Sequence, residues 1–237
     1  MIERDRIKAL AFDFGGTLDS PFMHWANLYI KIYNEKLGLQ LTRESFWDSY
    51  VAAEREMERL QPVKATDGLY ATQSWKAKLQ LAEMTKRGVV PDTEFNRTEL
   101  PVKAAEAVTE FTSEYIVRSR RVLEKLSAGY RLLLVSNFYG NLKTIVSDFG
   151  MTSLFESITD STTVGIRKPD PAIWQLAFDG ADLKAEDVLV VGDSMKNDMR
   201  PALSLGCQVV KCCADGEEHP EGLTCITELE QLVPLVI

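Results

Sequence analysis

The sequence predicts an α/β protein, a doubly wound parallel sheet whose first and second strands are separated by an inserted helical module. Short aliphatic runs supply the strands: Ile7 to Phe12, Leu132 to Val135, Val188 to Val191 and Val209-Val210. Each is too short for a helix and too continuously apolar for a strand with one wet face, so each reads as a strand buried on both sides. Helical patterns alternate with these runs, as a doubly wound sheet requires. Finally, about a hundred residues without a convincing strand separate the first two runs. That is far beyond the roughly dozen residues a loop spans, so the segment needs a core of its own.

In chain order, the first run ends at Asp13 and meets Gly15-Gly16, the pattern of a strand entering a tight loop. Trp25, Leu28, Tyr29 and Ile32 then recur at helical spacing up to Gly38. Phe46, Trp47, Tyr50, Met57 and Leu60 do the same after a Thr42 N-cap, and Trp75, Leu79 and Ala82 begin a third helix ending near Gly88. Residues 20–113 are therefore expected to form a helical module, and residues 1–19 with 114–237 the sheet domain. Within the latter, helices are expected over 117–126, 141–149, 171–178 and 197–205, with Gly150 closing the second of them.

Composition narrows the class. With 237 residues, 45% hydrophobic and 26% charged, the chain has the profile of a globular protein with material for two cores. The formal charge of −8, with no basic run carrying interleaved aromatics, argues against a nucleic-acid partner. No apolar stretch reaches the roughly 18 residues of a membrane span, and the N-terminus lacks a signal-peptide core, so a cytoplasmic protein is expected. Cys207, Cys212, Cys213 and Cys225 crowd the last strand region without zinc-like spacing and read as reduced, semi-buried thiols.

Four features fall at or just beyond strand carboxyl ends, where open α/β sheets place their ligands. They are Asp13-Phe14-Gly15-Gly16-Thr17, Ser136-Asn137, Lys168-Pro169, and Gly192-Asp193-Ser194 with Asn197-Asp198. Taken singly, each has an ordinary explanation: a turn acid, a local cap, a surface lysine. Together, and with Ser161, Gly165 and the run Lys168 to Trp174, the chain resembles the haloacid dehalogenase-like superfamily, in its phosphatase branch with a helical cap inserted after the first motif.

The resemblance implies a Rossmann-like core and a Mg²⁺-dependent phosphatase acting on a small phosphorylated metabolite, working as a monomer or homodimer. Asp13 would be the nucleophile that becomes an aspartyl-phosphate, and Lys168 the cation holding it against the phosphoryl oxygens. Thr17, Ser136 and Asn137 would bind the phosphoryl group. Asp13, the backbone carbonyl of Gly15 and Asp193 would hold Mg²⁺, with Asp198 in a supporting role. The chain departs from the pattern at Gly15, where the family's phosphatases carry a second Asp that protonates the leaving group. Asp19 and His24 are the nearby candidates to replace it. Two other readings stay open: a 2-haloacid dehalogenase-type hydrolase, against which Asp193 argues, and a weakly active or non-catalytic phospholigand-binding protein.

Overall fold

The computed structural model describes residues 2–237, so that Met1, the first residue of the expected sheet domain, lies outside the described residues. Six parallel strands form one sheet in the order β3-β2-β1-β4-β5-β6. They are β1 (Ala9–Phe12), β2 (Arg131–Ser136), β3 (Ser157–Asp160), β4 (Val188–Gly192), β5 (Gln208–Cys212) and β6 (Thr224–Ile226). From the central β1 the chain winds outward through β2 and β3, then returns to β4 on the other side. The sheet's switch point therefore lies beside β1, and its carboxyl edge there is the natural ligand crevice.

Every residue of β1 and β4 is buried, which is why these strands read as unbroken apolar runs rather than alternating ones. Odd-numbered β1 residues Ala9 and Ala11 join Leu133, Val135, Val188 and Val190 in one core layer, covered by Ile173, Trp174, Ala177 and Phe178. These four come from the helix Ala172–Gly180. Burying such a side chain contributes roughly 1.5–3 kcal/mol, and Trp174 and Phe178 are wholly inside. The edge strands β3 and β6 went unread in the sequence because Ser157-Ile158-Thr159-Asp160 and Thr224-Cys225-Ile226 are short, mixed and only partly buried.

The chain divides into two compact units, 1–23 with 114–237 and 24–113. The second unit contains α1 (Trp25–Leu37), α2 (Arg43–Leu60) and α3 (Leu69–Lys86). Gly38, in the left-handed region, ends α1, and Thr42 opens α2 with a capping box shared with Ser45. The third helix begins at Leu69, earlier than its apolar residues suggested, and its buried stripe differs from the expected one. Trp75 and Leu79 are half-buried and Ala82 is exposed, while Thr72, Gln73, Lys76, Gln80 and Met84 face inward.

A fourth helix was not foreseen at its full length. The expected helix over 117–126 is the end of α4 (Glu94–Leu126), and the division between the units falls inside it. Pro101 disguised its first half, since proline lacks the N–H that continues a helix. After β2 come α5 (Leu142–Asp148), α6 (Ser161–Val164) and α7 (Ala172–Gly180). The helix expected over 197–205 starts earlier, as a π-helical turn Met195–Met199 running into α8 (Arg200–Ser204). A last helix, α9 (Leu232–Val236), closes the chain. Of the cysteines, Cys212 ends β5 and Cys225 lies in β6, while Cys207 precedes β5 and Cys213 follows it; all four are free thiols. No helix among the described residues is long and apolar enough to cross a membrane.

Candidate active site

Asp13 leaves β1 directly and its backbone N–H donates to Val191 O at 3.0 Å, which ties the start of the loop to β4. Phe14 O then accepts from Thr17 N and Leu18 N, so the chain turns back at once. Gly16 adopts φ +87° in this turn, and a Cβ there would stand 2.7 Å from Asp193 Oδ2. Glycine is therefore required on both backbone and steric grounds. On the neighbouring strand Ser136 closes β2 and donates from Oγ to Asp13 Oδ1 at 2.9 Å. The loops after β1 and β2 are also packed together by an edge-on contact of Phe14 with Phe138, their ring centroids 5.6 Å apart.

Lys168 sits at the centre of the arrangement. Its Nζ lies 2.7 Å from Asp13 Oδ1 and 2.7 Å from Asp198 Oδ1, and its side chain is almost completely buried. The ammonium also stands 4.5 Å from the centre of the Trp174 ring, on the face where an aromatic attracts a cation. Burial opposes the charge of Lys168, but Asp13 and then Asp198 outweigh it and raise its pKa above the ordinary lysine value. The side chain therefore stays protonated. Trp174 was not singled out in the sequence as part of the site; its inward phase on α7 was the available signal.

Asp193 follows β4, and Asp198 lies in the π-helical turn, where Oδ2 accepts from Ser194 N at 3.0 Å. Gly192 makes room for it, since a Cβ at that position would fall 2.7 Å from the Asp198 carboxyl carbon. Carboxylate oxygens of Asp13, Asp193 and Asp198 all lie within 4.8 Å of one another. Among the described residues Lys168 is the one ammonium in direct contact with these acids, and Lys211, which also acts on Asp193, is paired with Glu217, so negative charge is in surplus when all three acids are ionised. The strain shows in the acids. Burial, then Asp13 and Asp198, hold Asp193 well above the usual carboxylate range, and burial pushes Asp198 up to about 6 although Lys168 pulls the other way. An oxygen-rich pocket with surplus negative charge is what a hard divalent cation neutralises.

Thr17 is 1% exposed, and its Oγ1 is buried without a hydrogen-bond partner among the described residues. A buried hydroxyl left unpaired is unfavourable by about 1–3 kcal/mol, so this one is a ready donor for a ligand oxygen. Asn137 is engaged otherwise: Oδ1 accepts from Lys168 N at 2.9 Å and Nδ2 donates to Lys168 O at 3.0 Å. Asp19 is buried and accepts from Gly16 N at 2.7 Å. His24 begins the other unit as the N-cap of α1, its Nδ1 accepting from Ala26 N at 3.1 Å. Burial and then Arg43 lower its pKa, so the imidazole is neutral at physiological pH. A cavity of about 380 Å³ in the sheet unit is lined by Thr17, Ser20, Phe22, Tyr115 and Arg118 among others. It holds none of the charged cluster, so the chemistry is read from the cluster.

Known proteins resemble the chain over part of its sequence and in its fold. The chain is 38% identical over 87 residues to a phosphoglycolate phosphatase of Cereibacter sphaeroides, which is 36% of this chain and 39% of that protein. It thus spans well under half the length of the curated relatives it matches. Its fold is similar to that of the hydrolase YfnB from Bacillus subtilis bound to magnesium, with TM-score 0.61 and 17% identity over 98% of this chain and 99% of that one. A dehalogenase with an intermediate complex is similar at TM-score 0.63 and 17% identity, over 100% and 99% of the two chains. At these identities the likeness is one of fold. The family model of haloacid dehalogenase-like hydrolases matches residues 7–206, and the chain belongs to that family.

Proposed function

We propose that the chain is a Mg²⁺-dependent phosphomonoesterase for a small phosphorylated metabolite, with Asp13 as nucleophile. The observation that carries this reading is the Lys168 ammonium held at 2.7 Å from both Asp13 and Asp198, two of the three acids that cluster with Asp193. The phosphoglycolate phosphatase relative supports a phosphate ester as the substrate class.

Asp13, the Gly15 carbonyl and Asp193 are the groups that would hold Mg²⁺, with Asp198 behind them; the fit rests on their clustered carboxylates and surplus charge. Bound there, Mg²⁺ supplies the positive charge that lets a carboxylate approach an anionic phosphate. An Asp13 carboxylate oxygen attacks phosphorus, the bond from phosphorus to the ester oxygen breaks, and the departing alkoxide takes a proton from water to leave as the alcohol. Lys168 offsets charge between nucleophile and phosphoryl oxygens, while the Thr17 and Ser136 hydroxyls donate to those oxygens. Water then attacks phosphorus, the bond to Asp13 breaks, and the carboxylate is restored with release of inorganic phosphate. The unit 24–113, inserted between β1 and β2, is inferred to be the cap that selects the leaving group.

A panel of phosphate esters with Mg²⁺, with Asp13→Asn as control, tests the proposal. Hydrolysis of at least one small ester, abolished in the variant, is expected. No turnover on any ester combined with tight binding of one of them would favour a phospholigand-binding protein, and metal-independent release of halide from a 2-haloacid would favour a dehalogenase.

A further inference from the structure

We propose that Asn137 is a positioning residue for Lys168, its carboxamide clamping the Lys168 main chain and so fixing where the ammonium stands. The inference rests on reading Lys168 as the cation of phosphoryl transfer. Asn137 presents an acceptor and a donor side by side, and the two meet the N–H and C=O of the same residue at 2.9 and 3.0 Å. A lysine side chain is a long flexible stem, so the place of its charged end depends on how firmly its root is held. Here the root is held by Asn137, and the ammonium is held over the Trp174 ring by Asp13 and Asp198.

The clamp is itself anchored. Phe138 N donates to Ser161 Oγ at 3.1 Å and Thr162 Oγ1 donates to Phe138 O at 2.6 Å. Asp160, the last residue of β3, takes Gly140 N and Leu142 N on Oδ2 and Thr162 N on Oδ1. The loop after β2 is thereby pinned to the end of β3, and Asn137 passes that rigidity to the Lys168 loop. An asparagine suits the post. Leucine of similar volume would leave both main-chain groups of Lys168 unpaired, and aspartate would set a carboxylate against the Lys168 carbonyl.

The test is Asn137→Leu, read in two ways. Brief acetylation of lysines by acetic anhydride, followed by peptide mass spectrometry, reports the accessibility of each amine. Lys168 is expected to label at least about tenfold faster in the variant, while the equally buried Lys76 and Lys211 keep their wild-type rates as gauges of folding. With p-nitrophenyl phosphate and Mg²⁺, kcat is expected to fall roughly 10- to 100-fold with KM within about threefold, the pattern of a misplaced catalytic group. If Lys76 and Lys211 also label faster, Asn137→Asp replaces Asn137→Leu; it keeps the volume and the acceptor for Lys168 N–H, and a selective rise at Lys168 is again expected. Unchanged Lys168 labelling in a folded variant, or a raised KM with kcat intact, would overturn the proposal and make Asn137 a substrate ligand or a bystander. If the wild type hydrolyses neither p-nitrophenyl phosphate nor any other ester of the panel, the phosphatase reading is what fails, and the labelling still decides the clamp.

Discussion

Position 15 divides two claims about Asp13 that usually travel together. In the proposed reaction Asp13 accepts a phosphoryl group, and Ser136 and Lys168 both stand within hydrogen-bond distance of its Oδ1. Gly15 has no side chain to protonate a departing alkoxide. Asp19 and His24, the two candidates nearest in sequence, each spend a polar atom on a backbone N–H, of Gly16 and Ala26 respectively. In the proposed reaction a leaving group with no acid at position 15 takes its proton from water, which penalises basic alkoxides far more than stabilised phenolates. Gly15→Asp is therefore expected to raise kcat on an alkyl phosphate by about 10²–10⁴-fold and on p-nitrophenyl phosphate much less. Steady-state rates on both esters check this. An equal change on the two would show that proton transfer to the leaving group is not the missing element.

At the scale of elements, the sequence was most legible where burial is uniform and least where polar residues face inward. β1 and β4 read correctly because both faces of the sheet are covered. The Thr42 cap read correctly because capping chemistry is local. The inward face of α3 was misread because its buried positions include Gln73, Lys76 and Gln80, which no apolar periodicity reveals. Tyr29 Oη donates to Gln73 Oε1 at 2.6 Å and Tyr33 Oη to Gln80 Oε1 at 2.7 Å, so two polar pairs stitch α1 to α3. Gln80→Leu would strand the buried Tyr33 hydroxyl, with an expected loss of roughly 1–3 kcal/mol in urea unfolding; Tyr33→Phe with Gln80→Leu should recover most of it. A double variant no more stable than Gln80→Leu would show that packing, not the hydrogen bond, matters there. The candidate residues that gather around Lys168 were named from their motif context, whereas the partner of Asn137 and the place of Trp174 beneath Lys168 needed three-dimensional contacts between loops far apart in the chain.

At the scale of the whole molecule, the acid cluster couples folding to pH and, under the proposed function, to Mg²⁺. Asp198 titrates at about 6 against an ordinary value of 3.8. Between these values the folded chain keeps a proton that the unfolded chain has released, so the contribution of Asp198 is complete below about pH 4 and lost as pH rises through about 6. Asp193 shifts in the same direction. A divalent cation binds the ionised carboxylates and competes with those protons. Mg²⁺ is thus expected to raise the melting temperature more at about pH 8 than at about pH 5, as calorimetry with and without the ion would read. An equal or larger increment at the lower pH would contradict the placement of the ion among these acids. The central claim, that Asp13 itself carries the phosphoryl group, is tested most directly by quenching turnover of p-nitrophenyl phosphate in acid and locating the phosphoryl group by peptide mass spectrometry. The account predicts it on the peptide containing Asp13 and its absence in Asp13→Asn; a phosphoryl group on another residue, or continued turnover in that variant, would contradict it.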